Sequence, residues 1–332
     1  MGDFIHLHNH SDYSLLDAAQ TVERMCNRVY DLGMDSIAIT EHGNLFSMIP
    51  FYKKARESGI KPIIGCEIYV AVNKHTDKKQ ITTGTGKKWG YHHLVLLAMN
   101  QTGYKNLLAL TSIGYLEGFY YRPRVDKELL KKYNEGLIAT SACLAGEVTS
   151  YAAAGNYESA KLSALSYMEI FPNRFYIELQ NHEISEEKAA HKILKKLSKE
   201  LNIPLVATND CHYCMKTDSD AHDALFCLGT GKDIHDKNRL RYEPGKFYVK
   251  SIDEMYQIDC DTKDFNNVRK VLQDEGVNIE LAEISWVPST FIELDEAKGK
   301  SVVSLMEKLE NQDDVQNVYA NFTLPKDLLA KL

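Results

Sequence analysis

Residues 36–43 read Ser-Ile-Ala-Ile-Thr-Glu-His-Gly, an apolar strand that ends in a carboxylate and an imidazole. The same order, an apolar run followed by metal-binding side chains, recurs over more than 200 positions. It places His8 and His10 after Phe4-Ile5, Glu67 after 62–66, Cys143 after 137–140, and Asp210 with His212 after 205–208. Residues so far apart converge only if the strand ends meet, as on the rim of a β/α barrel. The pattern predicts such a barrel, with a site for more than one metal ion on its rim.

The composition is that of a soluble protein with one large domain and one small one. The 332 residues are 44% hydrophobic and 26% charged, and no apolar run approaches the roughly 18 residues of a membrane span. The net charge of −7 argues against a general affinity for nucleic acid, although bound cations would reverse the charge locally. Seven cysteines without framework spacing, and no visible secretory signal, predict a cytoplasmic location.

Apolar runs alternate with helical periods up to about residue 229. Helices are predicted at 21–32 and at 185–201, the second with Ser185 as its N-cap. Seven βα units predict an α/β fold with a parallel barrel. The predicted strands are 4–8, 36–40, 62–70, 93–99, 136–141, 175–180 and 203–208.

The pattern changes near residue 256. Strands are predicted at 256–260, 279–286, 290–294 and 315–322, with helices at 262–275 and 297–310. This βαββαβ order is typical of a ferredoxin-like α+β domain. We therefore predict two domains, 1–256 and 257–332.

The residue types on the predicted rim indicate metal chemistry. His8 and His10 lie at i and i+2, so both imidazoles face the same side of a strand. An isolated pair of this kind is weak evidence for a metal site, but His42, and Asp210 with His212, repeat the pattern at other strand ends. Without cations, buried charges gathered there would repel each other or stay unsatisfied. A ligand set that mixes histidine with carboxylate can bind Zn²⁺, Mn²⁺ or Fe²⁺ and does not identify which of them is bound. Divalent ions in such a cluster favour the hydrolysis of phosphoesters.

Several short motifs carry a resemblance to a known family. They are His8-Asn9-His10-Ser11, Thr40-Glu41-His42-Gly43-Asn44, Gly65-Cys66-Glu67, Tyr91-His92-His93-Leu94-Val95, and the stretches 141–147 and 207–213. Together they closely resemble the PHP (polymerase and histidinol phosphatase) family. Residues 118–124 and 221–225 also resemble the branch of that family found in bacterial DNA polymerase III alpha subunits. The resemblance covers about residues 3–256 and implies a distorted seven-stranded βα barrel with two or three divalent metal ions (Zn, Mn or Fe).

Carried over residue by residue, the resemblance implies a full set of metal ligands. It further implies that Glu67 bridges two ions, and it assigns catalysis to Glu67, Asp210 and His212. His93 is preferred to His92 on the family match alone, because His93 opens its predicted strand rather than ending it. The implied ligands are His8, His10, Asp17, His42, Glu67, His93, Cys143, Asp210 and His212.

Tyr120, Arg122 and Arg124 are predicted to bind substrate, since aromatic rings stack on bases and guanidinium groups bind phosphate. A packed loop whose arginines pair with nearby acids is the open alternative.

The polymerase branch implies 3′-to-5′ exonuclease activity, in which metal-activated hydroxide hydrolyses DNA phosphodiesters. It also implies a DNA 3′ end as substrate and replication proteins as partners. Palm, thumb and fingers domains of a polymerase are absent from the sequence, which predicts that the chain does not polymerise DNA. Two alternatives stay open: a non-catalytic replication module that metal stabilises, and a phosphatase for small phosphomonoesters.

Residues 256–324 resemble the last domain of the YebC/PmpR family, through segments that include 282–288 and 313–321. This part of the chain carries no candidate ligand, and its acidic residues argue against autonomous DNA binding. We expect it to mediate protein interaction or dimerisation.

Overall fold

The computed structural model of the protein describes residues 4–79, 90–256, 265–274, 292–294, 296–310, 318 and 320–323. The chain divides into two compact units, Met1–Gln257 and Ile258–Leu332. Within the described ranges, no helix combines the length and the apolar character needed to cross a membrane.

The first unit is built on a mixed, curled sheet of seven strands. Six strands follow the order β1-β2-β3-β5-β6-β7, and β4 pairs with β2. Only β3 runs antiparallel to its neighbours β2 and β5, whereas the other described pairs are parallel. The predicted seven-stranded α/β fold is therefore confirmed as a half-barrel. The strands are β1 (Ser36–Ile39), β2 (Lys61–Ala71), β3 (Tyr91–Ala98), β4 (Arg124–Val125), β5 (Leu137–Thr140), β6 (Phe175–Leu179) and β7 (Leu205–Ala207).

Two details of the predicted parallel barrel are wrong. Residues 4–8 form no regular strand; this segment meets the sheet through an isolated bridge from His6 to Ile37. Strand β3 runs antiparallel to both β2 and β5, a pairing that needs no long helical crossover. The start of β3, rather than its end, therefore lies at the edge where the parallel strands end.

Helices connect the strands and bury one apolar face each. Helix α1 begins after Thr21, whose hydroxyl accepts a hydrogen bond from the Arg24 backbone N–H, and it buries Met25 and Val29. The predicted bounds of α7 are confirmed, but its N-cap is Ile184, because Ser185 is already helical and donates its hydroxyl to Glu186. The helices are α1 (Val22–Asp31), α2 (Met48–Glu57), α3 (Gln101–Leu116), α4 (Lys127–Lys132), α5 (Glu147–Ala153), α6 (Tyr157–Ile170), α7 (Ser185–Leu201), α8 (Ser219–Thr230) and α9 (Ile252–Tyr256).

The described residues form four apolar clusters, and the two largest hold most of the strands in place. The larger includes Leu94 and Leu96 of β3 together with Leu107 of α3 and Leu194 of α7. The second joins α1, β1 and α2 through residues that include Ile37. Each fully buried side chain of this size contributes about 1.5–3 kcal/mol to stability. The cores fix the strand positions, so that polar residues at the strand ends are brought to one place.

The second unit is described only in part. Strands β8 (Ile292–Glu293) and β9 (Phe322–Thr323) pair in parallel, and the helices are α10 (Phe265–Asp274) and α11 (Glu296–Glu310). The helices predicted at 262–275 and 297–310 are confirmed within a few residues. Most of the strands predicted at 256–260, 279–286 and 315–322 lie outside the described residues, so the ferredoxin-like order stays a prediction.

Candidate metal centre

The structure brings all nine predicted ligands together at one edge of the sheet. His42 lies three residues beyond the end of β1, Cys143 lies three residues beyond β5, and Asp210 lies three residues beyond β7. These are carboxyl ends of parallel strands, which meet at one edge. His93 lies near the start of β3 and pairs with Tyr69 of β2. The reversed direction of β3 explains why a ligand candidate opens that strand.

Glu67 lies at the middle of this cluster and is fully buried. Its Oε1 atom lies 3.4 Å from His8 Nε2 and 2.9 Å from His93 Nδ1. Its Oε2 atom lies 3.4 Å from His10 Nε2 and 2.7 Å from His42 Nδ1. Each carboxylate oxygen thus faces its own pair of imidazoles, as a bridging ligand would.

Cys143 lies on the Oε1 side of Glu67. Its Sγ atom is 3.7 Å from Glu67 Oε1 and 3.9 Å from His93 Nδ1. His92, the neighbour of His93, is instead buried against the Tyr151 ring at 6.1 Å. The geometry therefore favours His93 over His92 as the ligand candidate.

Two further carboxylates complete the cluster. Asp210 Oδ1 lies 3.2 Å from both His8 Nε2 and His10 Nε2. Asp17 Oδ2 lies 2.6 Å from His42 Nε2 and 3.3 Å from His212 Nε2. Three groups have ligand atoms within 4.8 Å of one another: His8 with His10 and Asp210, His10 with His42 and His212, and His42 with Glu67 and His93.

Many of these facing atoms are buried and lack a hydrogen bond. An unsatisfied buried polar atom costs about 1–3 kcal/mol, and native proteins rarely leave several in one place. Divalent cations would satisfy them together, so the residues present fit a metal centre. Among the described residues, the cluster atoms that face one another at ion-pair distance but form no hydrogen bond are His8 Nε2, His10 Nε2, His42 Nδ1, Glu67 Oε2 and Asp210 Oδ1.

Close packing of imidazoles and carboxylates shifts their pKa values. Burial opposes ionisation of Glu67, but His93, His8 and His42 hold the pKa of this carboxyl well below its usual range. Burial lowers the pKa of His42, but the carboxylates Glu67 and Asp17 outweigh burial and raise it to about 10. Burial and the nearby His42 lower the pKa of His10 to about 3. His10 is thus neutral, the form that binds metals, whereas a metal at His42 must displace a proton.

Glu178, on β6, is a buried support of the centre that the sequence analysis did not identify. His8 Nδ1 donates to Glu178 Oε1 at 2.6 Å, and the hydroxyls of Thr140 and Thr208 donate to the same carboxylate. This contact fixes the His8 ring so that Nε2 faces Glu67. The sequence feature that could have indicated Glu178 is a carboxylate inside an otherwise apolar strand, Phe-Tyr-Ile-Glu-Leu.

We expect Glu178→Gln to lower metal affinity by about 10–100-fold, because an orienting carboxylate also raises the basicity of the imidazole it holds. Competition with a chromophoric chelator would measure the affinity. The matched control is Asp126→Asn, which changes another buried carboxylate paired with a histidine, His75, outside the centre. Equal affinities of the two variants would contradict this role of Glu178.

Tyr242 is a second neighbour of the centre that the sequence analysis missed. Its hydroxyl lies 3.4 Å from His212 Nε2. Its ring packs edge-to-face against Phe247 at 4.7 Å and Phe226 at 5.1 Å. Tyr242 belongs to the irregular segment between α8 and α9, where no periodicity could indicate which side chains point inward.

The three predicted substrate residues have different environments, and Arg124 is not available to substrate. Arg124 is buried, and its guanidinium donates to the carbonyls of Gly118, His75 and Asp77 at 2.8–3.2 Å. Its Cζ atom also lies 5.1 Å from the centre of the Tyr120 ring. Arg124 therefore packs within the loop, and its guanidinium N–H groups are paired with backbone carbonyls rather than with the acidic side chains considered above. Arg122 is exposed, with Cζ 5.7 Å from the centre of the Tyr69 ring.

Family comparison agrees with this arrangement. A family model described as PHP domain matches residues 6–182, just over half of the chain. The chain belongs to the PHP family. In this PHP chain, a second model, described as TACO1/YebC second and third domain, matches residues 213–322. That match begins well before residue 256, where the sequence analysis placed the start of its YebC-like segment.

Two curated relatives of this PHP chain are DNA polymerase III alpha subunits. This PHP chain is 48% identical over 271 residues to DNA polymerase III subunit alpha of Borreliella burgdorferi, and 44% identical over 256 residues to that of Treponema pallidum. These alignments cover 82% and 77% of this chain but 23% and 22% of the relatives, so the chain spans about a quarter of their length. A solved two-domain protein from Bacteroides vulgatus, containing a predicted PHP-like metal-dependent phosphoesterase, is similar at 16% identity. That similarity has a TM-score of 0.38 and covers 69% of this chain and 55% of the other.

Proposed function

We propose that this PHP domain is a metal-dependent phosphoesterase that hydrolyses DNA phosphodiesters from the 3′ end. The observation that carries the proposal is the group of buried ligand atoms around Glu67 that form no hydrogen bond. When bound there, two or three divalent ions (Zn, Mn or Fe) would polarise a phosphoester and lower the pKa of a water molecule.

The residues of the chain would bind and orient the reactants. Glu67 and Asp210 both place carboxylate oxygens within 3.2–3.4 Å of the Nε2 atoms of His8 and His10, where they supply negative charge. His212 Nδ1 lies 2.8 Å from the Asp210 carbonyl, which directs Nε2 towards Asp17 and the Tyr242 hydroxyl. The exposed guanidinium of Arg122 is the group that would bind a substrate phosphate at the edge of the centre. The remaining ligands in this proposal are His42, His93 and Cys143.

DNA is the favoured substrate because the curated relatives are DNA polymerase III alpha subunits. The same relationship makes replication proteins the proposed partners. The protein carries a net charge of −7, so bound cations would be needed to attract an anionic substrate to this centre.

We expect metal-loaded protein to shorten 5′-labelled single-stranded DNA from its 3′ end and to act far more slowly on a small phosphomonoester. Purified protein would be stripped with chelator, reconstituted separately with Zn²⁺, Mn²⁺ and Fe²⁺, and assayed on both substrates. Preferential release of phosphate from the monoester would instead support a phosphatase. No hydrolysis by protein that retains its ions would support a non-catalytic, metal-stabilised module.

We also propose that residues 1–256 carry the metal centre and hydrolysis, and that residues 257–332 form an interaction module. All ligand candidates precede residue 213, and no histidine occurs after residue 235. A chain ending at Tyr256 should therefore keep its metal content and its hydrolysis per molecule, with any change confined to self-association. Elemental analysis, DNA hydrolysis and sedimentation would test this. Loss of hydrolysis by folded, metal-loaded protein would show that the second unit shapes the site.

A further inference from the structure

Exposed aromatic rings form a continuous group near the metal centre. Phe46, Tyr115 and Phe119 are 60%, 40% and 48% exposed. The rings of Phe46 and Tyr115 lie 6.0 Å apart, and those of Tyr115 and Phe119 stack at 6.2 Å with an angle of 24°. Tyr121, two residues further along the chain, is 70% exposed, and its ring packs at 4.7 Å against that of Tyr120. We call Phe46, Tyr115, Phe119 and Tyr121 the aromatic strip. Single exposed apolar residues are ordinary, but a contiguous group marks a binding surface.

The loop that carries half of the strip is held rigidly. Tyr121 has a φ of +62°, a conformation that costs a bulky residue free energy and persists only when the surroundings impose it. The turn at Tyr121 is closed by a hydrogen bond from the Tyr120 N–H to the Arg122 carbonyl at 3.1 Å, and the buried Arg124 guanidinium donates to the Gly118 carbonyl at the start of the loop. A side chain at Gly118 would place its Cβ 1.9 Å from the Arg124 carbonyl oxygen. The loop thus presents Phe119 and Tyr121 to solvent in a fixed position.

The strip continues into the metal centre. Pro123, in the same loop, packs on Gly43, the residue after His42; a Cβ at Gly43 would lie 2.8 Å from Pro123 Cγ. The Arg122 guanidinium lies over the Tyr69 ring, which stacks at 6.2 Å on His42. Flat apolar faces are therefore followed by an exposed cation and then by the ligand cluster.

We propose that the aromatic strip binds unpaired bases of single-stranded nucleic acid, whose 3′-terminal phosphodiester reaches the metal centre past Arg122. This inference rests on the proposed function and adds the requirement that several terminal nucleotides be unpaired. Bases stack on aromatic side chains whatever their identity, and guanidinium groups bind the intervening phosphates. A protein partner would use the apolar rings but has no need of a cation between them and the ligand cluster.

Binding would be measured by fluorescence anisotropy of a labelled single strand with phosphorothioate linkages, which resist hydrolysis. The full-length, metal-loaded protein would be used at one fixed salt concentration. The variants are Phe119→Ala and Tyr121→Asn. Asparagine tolerates positive φ, so the second variant removes the ring without endangering the fold. The matched control is Tyr30→Ala, which removes a 66% exposed ring from α1.

Each strip variant should weaken binding by about fivefold or more, whereas the control should not. An abasic strand of equal length should bind the unmodified protein weakly and be insensitive to both variants. Unchanged affinity in the variants, or equal affinity for abasic and normal strands, would overturn the inference. A strip that instead serves a second copy of the chain would show altered self-association without altered DNA affinity. Because binding is measured without turnover, the pattern can hold even if no phosphodiester is hydrolysed, which would refute only the proposed function.

Discussion

Asp210→Asn is expected to lower DNA hydrolysis by about 10³-fold or more while leaving the fold intact. The Asp210 carboxylate is shared, because Oδ1 lies 3.2 Å from both His8 Nε2 and His10 Nε2. Removing its charge should release at least one ion. A divalent ion stabilises transition-state charge by several kcal/mol, and each 1.36 kcal/mol changes the rate tenfold.

The backbone at this position makes Asn the right replacement. Asp210 has a φ of +44°, a region that Asn tolerates better than other non-glycine residues. Loss of activity through misfolding is therefore not expected, and circular dichroism would check this. Elemental analysis should show fewer bound ions, and Asp126→Asn should retain full activity and metal content. Unchanged hydrolysis in Asp210→Asn would mean that the measured activity comes from elsewhere, such as a contaminating nuclease.

The sequence was informative about the centre because ligand types recur after apolar strands, and strand ends in such a fold meet. Pattern alone favoured His8, His10, Glu67 and Asp210, and the structure brings these together. Asp17 follows no strand, so only the family resemblance identified it. The reversed β3 could not be read from local sequence, because strand direction depends on the connection between strands rather than on residue alternation.

Supporting residues were harder to predict than ligand candidates. Glu178 resembles a chance acid within a strand until His8 Nδ1 is seen 2.6 Å away. Arg124 stands in a motif rich in aromatic and basic residues, and its burial depends on the carbonyls of His75 and Asp77, nearly 50 positions earlier. Local composition does not record such long-range contacts. Local composition singled out the 118–124 segment but left open whether Arg124 binds substrate or packs within the loop, and the structure shows it packed.

Removing the metal should lower the thermal unfolding midpoint of the first unit by about 10 °C or more. A ligand that binds only the folded state, at 1,000 times its Kd, stabilises that state by about 4.1 kcal/mol. For a unit of this size, each kcal/mol shifts the midpoint by about 2–4 °C. The physical source is the set of buried atoms around Glu67, which lose their partners when the ions leave. Calorimetry of metal-loaded and chelator-treated protein would measure the shift.

The second unit supplies an internal control, because residues 258–332 contain no histidine. Where the two units unfold separately, only the transition of the first should depend on metal. Asp210→Asn should show a smaller difference between its loaded and stripped forms than the unmodified protein. A midpoint that chelator leaves unchanged, in protein shown to bind the ions beforehand, would mean that the buried imidazoles and carboxylates satisfy one another through protons. The metal would then have no part in stabilising the fold, and the buried atoms around Glu67 would not be metal ligands.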